Sequence, residues 1–141
     1  MNGDGVSYRR TDDVSRHSLT SAGQMDDYLV VNNNNGAVTV YWNYGPDANW
    51  ANGWKFVPGG QIASGVPHAN WDTLRFPDIN GDGRADYVYI GKGGSLGHWM
   101  NTGSPGGQDV LFVARGGIAT GAVANISKLV FGDVSTASFT I

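Results

Sequence analysis

The sequence predicts an all-β repeat protein, and three observations support this. Segments recur along the chain at a regular spacing, so that Asp133 matches Asp78 55 residues earlier. Each unit holds about four short apolar or alternating runs, separated by clusters of Gly, Asn and Pro, as in four-stranded blades. No stretch keeps a helical period of apolar residues. Because the repeat length is in the range of β-propeller blades, we predict two to three four-stranded blades of an incomplete propeller.

Matching segments trace the repeat through most of the chain. The matches are 27–31 with 86–90, 41–45 with 99–103, 56–57 with 112–113, 62–65 with 118–121, and 74–78 with 129–133. Tyr41 and Trp99 occupy one repeat position on a strand, so we expect both to lie in the core between blades.

A candidate calcium loop spans residues 78–86. Oxygen-bearing side chains stand at loop positions one, three, five and nine, and Gly83 stands at position six. Alternate oxygen donors allow a tight loop to wrap around a hard cation, and glycine supplies the backbone angle that a side chain would forbid. The predicted side-chain ligands are Asp78, Asn80, Asp82 and Asp86. An ordinary metal-free turn is the alternative, since Asn-Gly-Asp-Gly is also a common turn sequence.

The loop differs from an EF-hand. An EF-hand needs a bidentate acid at position twelve and a helix on each side. Position twelve is Tyr89 here, and residues 87–90 alternate as a strand does. The loop is therefore predicted to lie at the entrance of a strand.

Residues 76–87, with Trp99 to Asn101 downstream, resemble an FG-GAP (VCBS) repeat. Such repeats build the integrin α-chain propeller and many secreted microbial propellers, and this chain is most similar to those that follow an esterase-like domain in secreted fungal proteins. The resemblance covers roughly residues 26–133. It implies a calcium-binding blade with the Arg84 carbonyl as a further ligand. It implies no activity, because such propellers serve as binding or scaffolding modules.

The first repeat is interrupted. Asn2 and Asp4 match the middle of a calcium loop, but the matching strand, which starts at Asp27, follows only after a polar segment from about Val6 to Gln24. These residues suggest a second, damaged metal site made by Asn2, Asp4 and Asp27. The segment is either a functional insertion or a translated intron. We therefore divide the chain into residues 1–25, the blades at 26–133 and a non-repeat tail at 134–141.

The composition argues against several classes of protein. Glycine makes up 22 of 141 residues, well above the usual ~7%, as expected where many turns need positive φ. A net charge of −3 without a basic run argues against a nucleic-acid partner. No apolar run approaches the ~18 residues of a membrane span. The chain has no cysteine and no signal peptide, so we expect a piece of a longer secreted, extracellular protein.

The sequence offers little for catalysis. Residues 93–97 match the G-x-S-x-G pattern, but that pattern needs a following helix to present Ser95, and a strand is predicted there. The histidines His17, His68 and His98 show no metal-ligand spacing. We therefore expect a protein that is not an enzyme.

Two tryptophans are candidate ligand-binding residues. Trp50 and Trp71 lie in predicted loops that carry no aromatic residue in the other repeat. They either face a ligand, such as the ring of a sugar, or cover the edge of a blade.

Two or three blades cannot close a propeller, which needs at least four. We therefore expect self-association that covers the exposed blade faces and strand edges. The sequence as a whole predicts a calcium-binding, non-catalytic propeller fragment that acts in binding or adhesion, with a glycan or cell-surface molecule as candidate ligand. The alternative is an accessory propeller region of a secreted esterase-like hydrolase whose catalytic domain is absent from this chain.

Overall fold

The computed structural model describes residues 6–7, 25–103, 110–121 and 129–132. In these ranges the regular structure is β-strand, apart from a single 3₁₀ turn at Lys92–Gly94. The all-β prediction is confirmed. The non-repeat tail and residues 104–109 and 122–128 lie outside the described residues.

Within the described residues, eight strands form two separate antiparallel sheets, which do not close into a ring there. Sheet 1 has the order β1-β2-β3-β4, and sheet 2 has the order β5-β6-β7-β8. The strands are β1 (Val6–Ser7), β2 (Tyr28–Val31), β3 (Val38–Pro46), β4 (Trp54–Ala63), β5 (Leu74–Arg75), β6 (Tyr87–Ile90), β7 (Leu96–Asn101) and β8 (Phe112–Ala119).

The two sheets repeat one another in strand register. Val38 pairs with Ala63 in sheet 1, and Leu96 pairs with Ala119 in sheet 2. Both sheets then shift register after the first and after the third residue of β3 or β7, and sheet 1 shifts once more between Asn43 and Pro46. The chain therefore repeats its irregularities as well as its strands, which supports the segment matches made from sequence.

A run of four asparagines turns the chain between β2 and β3. The Asn32 side chain accepts a hydrogen bond from the Asn34 amide at 2.9 Å, and the Asn35 side chain accepts one from the Ala37 amide at 3.0 Å. Asparagine favours such turns because its side chain can bond the backbone two residues on. Gly36 completes the turn with a φ of 70°.

One hydrophobic core spans both sheets. From sheet 1 it takes Leu29, Val31, Val38 and Val40, which we call the aliphatic face of sheet 1. From the linker and sheet 2 it takes Ala69, Leu74, Ala85 and Tyr87. The Tyr87 hydroxyl donates a hydrogen bond to the Gly36 carbonyl at 3.1 Å, so the second sheet is tied to the turn of the first.

Tyr87 is the centre of an aromatic cluster. Its ring makes edge contacts with Phe76, Trp99 and Phe112, at centroid distances of 5.8, 5.5 and 5.8 Å. We call Tyr87, Trp99 and Phe112 the aromatic face of sheet 2. Trp99 therefore packs at the core, as predicted. The prediction is wrong for Tyr41, which lies half-buried outside this core, because the face of sheet 1 that carries it is turned away from sheet 2.

The predicted interruption begins inside the fold. Val6 and Ser7 pair with Val31 and Val30 at the edge of sheet 1. We expect the segment from about Val6 to Gln24 to contribute little to the blades, and in the described residues it supplies these two residues to sheet 1. The edge of β2 offers backbone groups that an extended segment can pair. Residues 8–24 lie outside the described part of the chain.

Because Tyr87 is buried, its phenol makes the free energy of unfolding depend on pH in the alkaline range. Loss of solvent raises the pKa of the Tyr87 phenol above its ordinary value, and Tyr89 adds to the shift. An unfolded tyrosine loses its proton near pH 10, while folded Tyr87 keeps it. Above about pH 10 the unfolded state therefore binds fewer protons, and the free energy of unfolding falls as pH rises.

We expect that fall to be smaller in the Tyr87→Phe variant, which has no phenol to titrate at this position. Denaturant unfolding of both proteins at pH 8 and pH 11 measures it. Equal losses in the two proteins would contradict this role of Tyr87.

Candidate metal centre

The loop of residues 78–86 connects β5 to β6 and folds around the side chain of Asp78. One carboxylate oxygen of Asp78 accepts hydrogen bonds from the amides of Gly81 at 2.7 Å and Asp82 at 3.1 Å. The other accepts one from the Gly83 amide at 2.7 Å. The first predicted ligand therefore points into the loop.

The side chains of Asn80 and Asp82 are hydrogen-bonded to each other beside Asp78. The Asn80 amide nitrogen donates to Asp82 Oδ2 at 2.8 Å, and Asp82 Oδ1 accepts the Arg84 amide at 2.9 Å. Gly81 and Gly83 have φ angles of 76° and 85°, in the region that favours glycine. Glycine at position six thus has the backbone role predicted for it.

Asp86, at the base of the loop, is fully buried and joins the loop to sheet 2. Its Oδ1 accepts the Asn101 amide of β7 at 2.7 Å, and its Oδ2 accepts the Ile79 amide at 3.0 Å. His98 Nε2 lies 3.2 Å from the same Oδ2. The Asp86 amide closes the base by donating to the Pro77 carbonyl at 2.7 Å.

The bond between Asp86 and Asn101 is repeated in sheet 1. There the Asn43 amide donates to Asp27 Oδ1 at 3.0 Å, and the Asn43 side chain donates to the Asp26 carbonyl at 2.8 Å. Asn101 likewise donates to the Ala85 carbonyl at 3.2 Å. We call each pair an Asp–Asn clasp. Sequence reasoning missed both clasps, although an asparagine two residues before a glycine recurs at this repeat position.

His98 is a second residue that sequence reasoning missed. It is buried on β7, where the other repeat has Val40. The polar side chain was visible in the sequence, but its neighbour Asp86 is twelve residues away and comes close only through strand pairing.

The oxygen donors suit a hard cation. Calcium takes 6–8 oxygen ligands, including carboxylate, amide and backbone carbonyl oxygens. A carboxylate oxygen that accepts one N–H keeps a lone pair for a metal. Within the described ranges, no three His, Cys, Asp or Glu side chains group as a metal site. In this structure Asp86 therefore does not stand beside Asp78 and Asp82 as a third acidic ligand. The Asn80 amide oxygen and the Arg84 carbonyl are the other loop oxygens that a cation could take.

The second predicted metal site cannot be assembled here. Asn2 and Asp4 lie outside the described residues. Asp27 is half-buried and holds the Asn43 amide in its clasp.

The two candidate tryptophans differ in environment. Trp71 is half-buried and packs against the shared core. Trp50 is 39% exposed in the turn between β3 and β4. Two other exposed aromatic residues, Tyr44 and Trp54, lie at the same end of this hairpin, and Lys55 Nζ lies 5.2 Å from the Tyr44 ring centroid.

Ser95 lies in the turn between β6 and β7. Its hydroxyl donates to the Lys92 carbonyl at 3.2 Å, and β7 starts at the next residue. A nucleophile elbow needs a helix at this point, and a strand is found instead.

No protein-family model, curated protein or solved structure matches the chain. The FG-GAP resemblance therefore remains a prediction from the sequence. The part of the chain that the structure describes holds no helix with the length and hydropathy of a membrane span.

Proposed function

We propose that this chain is a calcium-binding, non-catalytic β-repeat module of the FG-GAP type that acts in binding or adhesion. The observation that carries the proposal is the Asp78 carboxylate, which accepts the amides of Gly81 and Gly83 inside a loop shaped by two positive-φ glycines, with Asn80 and Asp82 bonded to each other beside it. In this proposal the two sheets are consecutive blades of an incomplete propeller.

Calcium would act as a structural cross-link. Asp78, Asn80, Asp82, the Arg84 carbonyl and Asp86 would hold it. The ion would offset the repulsion between nearby carboxylates, and through the clasp of Asp86 it would tie the loop to β7. A ligand that binds only the folded form stabilises that form by mass action. Weak loops of this kind fill only at extracellular calcium levels, so we place the parent protein outside the cell.

The candidate contact surface is the exposed end of the β3–β4 hairpin. Tyr44, Trp50 and Trp54 offer aromatic rings there, and Lys55 adds a positive charge. Flat exposed rings suit stacking on sugars, so a glycan is the candidate ligand.

Calcium titration tests the metal proposal. We expect the Asp82→Asn variant to bind calcium at least about tenfold more weakly than the parent, because one ligand charge is lost from a site whose affinity depends on charge count. The matched control is Asp72→Asn, since Asp72 is an exposed acid outside the loop. We expect it to bind as the parent does. Equal affinities for all three proteins would overturn the assignment.

A further inference from the structure

Asparagine followed by glycine is the pair of residues at which a protein chain most readily modifies itself. The pair occurs four times here, at residues 2–3, 35–36, 52–53 and 80–81. The first of these lies outside the described residues. The other three lie in loops between strands, and the structure surrounds each of them differently.

The reaction needs base and water but no enzyme. The backbone nitrogen of the glycine loses its proton to base and attacks the asparagine Cγ, so that an N–Cγ bond forms and the Cγ–Nδ2 bond breaks. The side-chain nitrogen takes up a proton and leaves as ammonia, and a succinimide ring remains. Water then opens either carbonyl of this ring, which gives aspartate or isoaspartate. Glycine permits the attack because it has no side chain to hinder its nitrogen.

The fold holds both reacting groups of Asn35 and Gly36. Gly36 is buried between the sheets, and its carbonyl accepts the Tyr87 hydroxyl at 3.1 Å. Its amide donates to the Asn32 carbonyl at 2.8 Å, and the Asn35 side chain accepts the Ala37 amide at 3.0 Å. Freeing these groups would require the turn to separate from the second sheet.

A charged group holds the glycine amide of the pair at 80–81. The Gly81 amide donates to Asp78 Oδ1 at 2.7 Å. A carboxylate acceptor strengthens such a hydrogen bond, and it therefore opposes the loss of the amide proton. The Asn80 side chain donates to Asp82 Oδ2 at 2.8 Å. Although this pair is exposed, both of its reacting groups are engaged.

The pair at 52–53 is the least constrained. Asn52 and Gly53 are both exposed in the turn between β3 and β4, and the space around Gly53 is open. Within the described ranges, no hydrogen bond holds the Asn52 side chain. The Gly53 amide donates to the Trp50 carbonyl at 2.8 Å. This is a neutral hydrogen bond of an exposed turn, and such turns open at little cost in free energy.

We propose that Asn52 is a site of spontaneous deamidation, at which the folded chain reacts faster than at Asn35 or Asn80. The product adds one negative charge in the chain between Trp50 and Trp54, two aromatic residues of the candidate contact surface. Isoaspartate also lengthens the backbone of the turn, because the chain then runs through Cγ. The modification thus changes both the charge and the geometry of the exposed end of the β3–β4 hairpin. It requires neither calcium nor the proposed ligand.

Incubation of the folded chain at mildly alkaline pH tests the site, because base removes the amide proton. Peptide mass spectrometry with fragmentation measures the loss of each asparagine over time. We expect Asn52 to react at least about tenfold faster than Asn35 and Asn80, since an exposed turn opens more readily than a held one. In concentrated denaturant the contacts that distinguish the three pairs are lost, and we expect their rates to become similar.

The control variant is Asn52→Gln, because the longer glutamine side chain forms such a ring poorly. It should remove the modification from this turn and leave the rates at Asn35 and Asn80 unchanged. In the folded parent, a rate at Asn35 or Asn80 that equals the rate at Asn52 would overturn the proposal. An Asn52 that stays intact while the denatured chain reacts would do the same. Modification of the same turn in folded Asn52→Gln would place the reaction at a neighbouring residue and would also overturn it.

Discussion

Replacing Tyr87 by alanine should lower the free energy of unfolding by about 3–5 kcal/mol, the usual cost of removing a large buried aromatic side chain. The ring contacts three other aromatic residues, and its hydroxyl satisfies the Gly36 carbonyl of the other sheet. Alanine would lose these contacts and leave a cavity between the sheets. Because small domains have only about 5–15 kcal/mol of stability, this change should bring the chain close to unfolding. Urea unfolding with the tryptophan signal measures it.

The internal repeat supplies the control. Tyr28 occupies the same repeat position and makes similar ring contacts, but it is 39% exposed. We expect Tyr28→Ala to cost less than about 1.5 kcal/mol at a protein concentration low enough to keep the chain monomeric, since partly exposed side chains lose little buried area. Equal costs at the two positions would contradict the asymmetric packing of the sheets.

Replacing Gly65 by alanine should destabilise the chain by more than about 2 kcal/mol, because the new methyl group combines a positive-φ cost with a backbone clash. Gly65 has a φ of 85°, and a Cβ there would clash with the Asn35 carbonyl oxygen of the β2–β3 turn. Gly121 makes the corresponding approach to the turn before β7. This close approach is thus a feature of the repeat. Thermal and urea unfolding measure the change.

The Gly53→Ala variant separates the cost of a positive φ from the cost of the backbone clash. Gly53 has a φ of 70°, but a Cβ there would meet no atom within 4 Å. We expect it to cost only about 1 kcal/mol, the positive-φ penalty alone. Should Gly65→Ala cost no more than Gly53→Ala, the described approach of Gly65 to the turn would be wrong.

Much of the fold was predictable because the repeat is local and regular. The spacing of matching segments predicted the strands. The sequence could not show which face meets the other sheet. Tyr41 and Trp99 share a repeat position, yet only Trp99 packs at the core, because packing depends on which side of each sheet its neighbour occupies.

The sequence predicted the residues of the candidate loop, but it did not predict the contacts that this loop makes with the neighbouring strands. The alternation from Asp78 to Asp82 lies within a few residues, so the sequence alone indicates convergent oxygens. The contacts of Asp86 with His98 and Asn101 join residues that are distant in the chain and adjacent only across paired strands. The pairing of Val6 and Ser7 with β2 was missed for another reason. Two residues carry too little alternation to predict a strand.

The central claim is that residues 78–86 hold calcium. The most direct measurement is an anomalous-difference map from crystals grown with calcium. We predict one peak inside the loop, with oxygens of Asp78, Asn80, Asp82, Asp86 and the Arg84 carbonyl at about 2.3–2.6 Å. A well-ordered loop without such a peak would contradict the claim, and so would a peak held by other residues.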